Sequence, residues 1–183
     1  MTVLFVSHET TLSGAPMQLL HLVRWFNREG WKVAFAAPEP GPISDLVAAD
    51  GIEISFHPDL LEESSEPELR KLVARFDAVV ANTIVSWRVV RAAHAEKKPV
   101  LWYLHETLVA VRLIREIPQM GTTLELANLL VTPTRQTARV FEGITHTPIE
   151  VVPYGIPDPV LRGGDASSGS GFSFCGLSSI ESR

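Results

Sequence analysis

Short apolar runs alternate with helix-periodic segments over most of this 183-residue chain. Val3, Leu4, Phe5 and Val6 form a nearly continuous apolar run over 3–6. From 14 to 29, Leu19, Leu20, Val23 and Phe26 recur at helical spacing, and Gly30 supplies a stop. Further apolar runs predict strands over 33–37, 52–56, 78–81, 100–104, 129–132 and 149–152. Helices are predicted over 42–49, 66–75, 85–95, 108–117 and 134–141, with another helical turn over 122–127. Strands that are apolar without alternation are covered on both faces, and here helical segments separate them. The pattern predicts an α/β fold: a doubly wound, mostly parallel sheet of about seven strands with helices on both faces.

In such a Rossmann-like arrangement, right-handed crossovers bring the strand C-termini to one edge, where ligands bind. The chemistry is therefore expected at 7–14, 37–41, 82–83, 105–106 and 132–134. After Val152 the composition changes. Pro153, Pro157 and Pro159 interrupt regular structure, 163–171 is rich in Gly and Ser, and 172–175 reads as the opening strand of something new. Residues 1–159 are expected to form one domain, and 160–183 a linker with the truncated start of the next.

Charge and composition narrow the partners. The net charge is −5, where a sequence-independent nucleic-acid binder would be basic, so nucleic acid is not an expected partner. No apolar stretch approaches the ~18 residues of a membrane span. The run over 3–6 is too short for a signal peptide and has no basic residues before it. The single cysteine, Cys175, permits no intrachain disulfide, and a cytoplasmic location is the default expectation. Arg24, Trp25, Arg28 and Trp31 raise the alternative of peripheral attachment to the inner face of the membrane. Ordinary helix surface and core is the preferred reading of those four.

Three places on the expected edge carry candidate chemistry. In the turn after the first strand, Ser13 is placed to cap a helix, Gly14 permits a sharp turn or close ligand approach, and Pro16 suits a first helical turn. A helix N-terminus there favours an anion such as phosphate, although an ordinary strand-to-helix turn reads equally well. His105 closes the fifth strand, where it can donate a hydrogen bond to a sugar hydroxyl, stabilise developing charge, or simply cap the strand. Glu106 offers a second polar contact or an N-cap. Asn82 and Thr83 suit hydroxyl or phosphate contacts, with helix capping the simpler reading.

Other chemistries lack their patterns. The dinucleotide glycines, the phosphate-binding loop with its lysine and the serine-hydrolase elbow are missing. His8-Glu9 and His105-Glu106 begin like a zinc-protease motif, but the fifth residues are Leu12 and Val109. No metal is expected.

Taken in order, four segments resemble glycosyltransferase family four, also called group one. Residues 3–7 through Ser13-Gly14-Ala15 and the helix to Gly30-Trp31-Lys32-Val33 look like its opening strand, glycine loop and helix. Val79-Val80-Ala81-Asn82-Thr83 with 99–106 is similar to its central strands. Leu130-Val131-Thr132-Pro133-Thr134 is similar to the segment before the domain exit, and Val151-Val152-Pro153-Tyr154-Gly155-Ile156 resembles the "V-I-P-N-G-I/V" exit itself. Where the family loop often carries two glycines followed by Ala-Glu, this chain has Gly14 followed by Ala15-Pro16-Met17.

The resemblance implies a GT-B fold, in which an N-terminal acceptor-side domain faces a C-terminal nucleotide-sugar domain across a cleft. It implies retaining, metal-independent transfer without a cofactor, the nucleotide-sugar being substrate. Ser13, Gly14 and Ala15 would lie near donor phosphates and acceptor, His105 would contact the transferred sugar, and Asn82, Thr83, Glu106 and Thr134 would line the donor and acceptor sites. Residues 174–183 are similar to the strand that opens the donor domain, with Arg183 in the place of a donor-phosphate arginine. The second domain is absent, so the expectation is the N-terminal part of a transferase, incomplete alone. Its partners would be a nucleotide-sugar, a carbohydrate or lipid-linked acceptor, and the missing donor domain or a second copy meeting the exposed cleft face. The alternative is a non-catalytic sugar- or nucleotide-binding module, or one subunit of a split transferase.

Overall fold

The computed structural model describes residues 1–155. The expected linker and second-domain start at 160–183, and the match of Arg183, lie outside the described residues. Seven strands alternate with seven α-helices: β1 (Thr2–Val6), α1 (Gly14–Arg28), β2 (Lys32–Ala37), α2 (Pro42–Ala49), β3 (Glu53–Phe56), α3 (Glu66–Ala74), β4 (Ala78–Asn82), α4 (Trp87–Ala95), β5 (Val100–Tyr103), α5 (Leu108–Glu116), α6 (Pro118–Thr123), β6 (Leu129–Thr132), α7 (Arg135–Glu142) and β7 (Ile149–Val151). The strands form one sheet in the order β3-β2-β1-β4-β5-β6-β7. All six pairings are parallel, so the sheet is parallel throughout rather than mostly.

The strand pattern explains the layers. Successive residues of a strand face opposite sides. Leu4 and Val6 join Ala34, Ala36, Val79, Ala81, Trp102 and Leu130 in one cluster, which Leu69 and Leu72 of α3 and Val89 and Val90 of α4 cover. Val3 and Phe5 join Phe35, Val80, Tyr103 and Val131 in the other, covered by Leu19, Leu20, Val23 and Phe26 of α1 and by Ile43 and Val47 of α2. Burying each of these larger side chains favours folding by roughly 1.5–3 kcal/mol relative to leaving it exposed. Trp25 and Trp31 pack partly buried against the second cluster, each edge-on to Phe26, and Arg24 pairs with Asp50 at 2.5 Å. This is the surface-and-core arrangement expected of that helix.

Local departures from the pattern have identifiable causes. The predicted helix over 85–95 begins at Trp87, because Ile84–Ser86 winds as a 3-10 turn in which Ser86 Oγ donates to the Asn82 carbonyl at 2.7 Å. The helical turn placed at 122–127 is α6, started by Pro118 in its first turn, followed by a 3-10 turn at Leu124–Leu126. Another 3-10 turn at Glu63–Ser65 precedes α3. Gly30 ends α1 as expected, with a φ of 84° that a β-carbon would strain.

The strand order reverses beside β1. The chain runs outward from β1 through β2 to β3, crosses back to β4 on the other side of β1, and continues to β7. The turns leaving β1 and β4 therefore diverge from adjacent strands and open a crevice between them. No described helix is long and apolar enough to cross a membrane.

Candidate functional site

The turn from β1 into α1 forms one wall of the crevice. Ser7 Oγ donates to the Glu9 carbonyl at 2.7 Å, and the Thr11 and Ser13 hydroxyls donate to Glu9 Oε1 at 2.9 and 2.5 Å. The Ser13 hydrogen bond holds the Glu9 carboxyl below its ordinary range, ahead of the opposing effect of burial. Ser13 thus occupies the N-cap position, with extended φ and ψ, but turns its hydroxyl away from the helix. No side chain caps α1 and no acidic residue stands in its first turn, so the Gly14 and Ala15 amides head the positive end of the helix dipole uncapped. A β-carbon at Gly14 would touch nothing within 4 Å, so the chain's own packing does not demand a glycine there. The loop is braced from behind: Ile43 N donates to the Thr10 carbonyl at 3.0 Å, Thr10 Oγ1 donates to the Glu39 carbonyl at 3.1 Å, and a β-carbon on Gly41 would overlap the Thr10 hydroxyl.

The ends of β4 and β5 form the other wall. Asn82 is fully buried, and its Nδ2 donates to the Ala15 carbonyl at 3.1 Å, tying β4 to the first turn of α1. That bond orients the amide, leaving Asn82 Oδ1 to face His105 Nε2 at 2.7 Å. An amide oxygen only accepts, so His105 Nε2 carries the ring hydrogen and Nδ1 is the acceptor. Nδ1 takes a hydrogen bond from the Tyr154 hydroxyl at 2.8 Å. Burial, with a smaller contribution from His8, pushes the His105 pKa down to about 4, so the ring is neutral at pH 7. Tyr103 lies against it, ring centroids 4.2 Å apart, and burial raises the Tyr103 phenol pKa.

Glu106 and Thr83 hold this corner together. The Glu106 oxygens accept the backbone amides of Ile84 and His105, both at 3.0 Å, so it brackets the β4 and β5 ends rather than capping α5. Burial raises its pKa, outweighing the amides that favour the carboxylate. Thr83 has a φ of 68°, a region β-branched residues avoid at a cost of roughly 1–3 kcal/mol. It is held there by Trp102 Nε1, which donates to its carbonyl at 2.7 Å, and by its own amide, which donates to the Tyr103 carbonyl at 2.8 Å. The Thr83 hydroxyl and His8 Nδ1 are buried without hydrogen-bond partners among the described residues. Burial also lowers the His8 pKa, with Glu9 opposing.

Of the residues selected from sequence, Ala15, Asn82 and His105 are joined by hydrogen bonds, with Gly14, Thr83 and Glu106 adjacent to them in the chain. Thr134 is engaged elsewhere: its Oγ1 accepts the Thr137 amide at 3.0 Å and caps α7 beyond β6. Sequence reasoning did not select His8, Tyr103 or Tyr154. His8 lies in the edge segment 7–14, where topology alone could have found it, whereas only the fold returns Tyr154 to His105. Among the described residues no three His, Cys, Asp or Glu side chains gather closely enough to hold a metal ion. The corner gathers the uncapped amides of α1, suited to an anion, beside a neutral imidazole whose two nitrogens are engaged by Asn82 and Tyr154.

Solved structures share this fold. HepE from Anabaena, in complex with UDP-glucose, superimposes with a TM-score of 0.71 at 15% identity, over 85% of this chain and 44% of that one. MurG from Acinetobacter baumannii gives 0.57 at 17% identity, over 86% of this chain and 46% of that one. A UDP-GlcNAc 2-epimerase from Neisseria meningitidis bound to UDP-GlcNAc gives 0.59 at 16% identity, over 82% and 45%. The chain therefore spans less than half the length of these proteins. A search of curated proteins found no match. The model of Glycosyltransferase Family 4 matches residues 12–158, which hold six of the seven strands together with Gly14, Asn82 and His105, and the chain belongs to that family.

Proposed function

We propose that this chain is the acceptor-side part of a retaining, metal-independent glycosyltransferase that moves a sugar from a nucleotide-sugar to a carbohydrate or lipid-linked acceptor. The supporting observation is the hydrogen-bonded path from the Ala15 carbonyl through Asn82 to His105. It joins an uncapped helix end, suited to phosphate, to a neutral imidazole suited to a sugar hydroxyl. In this reading the Gly14 and Ala15 amides approach the donor phosphates, and His105 meets the transferred sugar. Asn82 sets the tautomer of His105. Transfer needs the nucleotide-binding half supplied by the rest of a longer protein or by a partner chain. The fold relatives bound to UDP-sugars make UDP-glucose a sensible first donor to try.

The test is release of nucleoside diphosphate from UDP-glucose and other nucleotide-sugars by the full-length protein, with and without EDTA. His105→Ala should lower kcat/KM about 10²- to 10³-fold, the usual cost of removing one preorganised hydrogen-bonding group. EDTA should change nothing. Turnover by His105→Ala at the wild-type rate overturns the assignment of His105, and loss of turnover in EDTA overturns metal independence.

A further inference from the structure

His105 has no hydrogen-bonding capacity to spare. Its ring is neutral, with one N–H and one bare nitrogen, and both are engaged: Nε2 by Asn82 and Nδ1 by Tyr154. For a substrate hydroxyl to reach the imidazole, one of these partners has to yield. Asn82 is fully buried, anchored in β4 and bonded to the Ala15 carbonyl as well. Tyr154 differs on every count. It is 43% exposed and lies beyond the end of β7, past the Val152 amide that donates to the Thr132 carbonyl at 2.8 Å. Beyond the hydrogen bond, its ring stacks on His105 at 5.7 Å between centroids, 21° from parallel, and meets Tyr103 edge-on at 6.5 Å.

We propose that Tyr154 is a displaceable plug on the sugar subsite: its hydroxyl occupies the one imidazole nitrogen open to substrate, and an entering sugar hydroxyl takes its place. This rests on the placement of the transferred sugar at His105 proposed above. The exchange is nearly balanced, because one O–H···N hydrogen bond replaces another. Tyr154 thus lowers apparent affinity while excluding water from His105 when the subsite is empty. A hydroxyl oriented to donate to Nδ1 is selected, and a sugar deoxygenated at that position cannot expel the tyrosine.

The experiment uses full-length protein labelled with ¹⁵N-histidine, as wild type, Tyr154→Phe, His105→Ala and the Tyr154→Phe/His105→Ala double variant. UDP-glucose and UDP alone are the probes. Tyr154→Phe keeps the ring and its stacking but leaves Nδ1 free. It should bind UDP-glucose about 2- to 10-fold more tightly than wild type, the equivalent of one neutral hydrogen bond. UDP alone should bind both equally, and UDP-glucose should shift the His105 Nδ1 resonance in wild type. Equal or weaker binding of UDP-glucose by Tyr154→Phe overturns the plug and makes Tyr154 a passive or stabilising wall. If His105→Ala leaves UDP-glucose binding unchanged in both backgrounds, or if no protein responds to UDP-glucose, the sugar subsite itself is overturned, and the plug with it.

Discussion

Two helices begin on the same edge of the sheet, each after a hydroxyl residue in extended conformation: α1 after Ser13 and α7 after Thr134. At α7 the chain satisfies itself, because Thr134 Oγ1 accepts the Thr137 amide. At α1 the equivalent hydroxyl is drawn off by Glu9, and the helix end stays uncapped. Residue type and position are nearly the same, yet one end is finished and the other is open. The difference is a neighbouring acceptor. Glu9 lies on the turn at the strand-order reversal, whereas among the described residues no such carboxylate competes for Thr134.

Lowering the pH should separate the two regions most. Above pH 6.5 His105 is neutral in both folded and unfolded chains. Between pH 6.5 and about 4 the unfolded chain takes up a proton that the folded site refuses, so stability falls with pH across that window. The loss from His105 alone is up to about 3 kcal/mol. The depressed His8 acts in the same direction. Glu106, raised by burial, acts in the opposite one, since the folded state binds its proton first. Urea unfolding midpoints at pH 7, 5 and 4 read this directly, and His105→Gln should flatten the profile. The Thr134–Thr137 cap contains no titrating group and contributes nothing to it. An equally steep profile in His105→Gln would remove His105 as the cause.

Thr134→Ala should cost about 1 kcal/mol of stability, the usual cost of losing a helix cap, without altering nucleotide-sugar binding. Denaturation and ligand titration of the same variant check both halves of that statement. Ser13→Ala should cost less than Thr134→Ala, because its hydroxyl caps nothing and gives up only a solvent-screened hydrogen bond to Glu9. It should also let the Glu9 pKa climb back toward the ordinary carboxylate range, which an NMR titration follows. A stability loss in Ser13→Ala as large as that in Thr134→Ala would erase the contrast between the two helix ends.

Much of the fold was legible because burial on both faces leaves a plain trace. The runs at 129–132 and 42–49 match β6 and α2 residue for residue. The helical turn expected over 122–127 is shifted: a short helix over Pro118–Thr123 is followed by a 3-10 turn at Leu124–Leu126, each too brief for periodicity to emerge. The site was legible in part. Topology directs ligands to the ends of β1, β4 and β5, and that directed attention to Gly14, Asn82 and His105. Thr134 satisfies the same rule, and its hydroxyl caps α7, since position on the edge does not say where a hydroxyl points.

By itself, then, the sequence determined the layers and the parallel sheet, because the alternation of apolar runs with amphipathic helices has few other ways to hide its apolar surface. Only the tertiary structure decided which polar groups meet. It orients Asn82 by the Ala15 carbonyl and so sets the tautomer of His105. It turns Glu106 inward to bracket two backbone amides, and returns Tyr154 to His105 across 49 residues of chain. Hydrophobic burial is non-directional and leaves a periodic trace in the sequence. Hydrogen bonds depend on angles and on fractions of an ångström between residues far apart in the chain, and those exist only once the fold has formed.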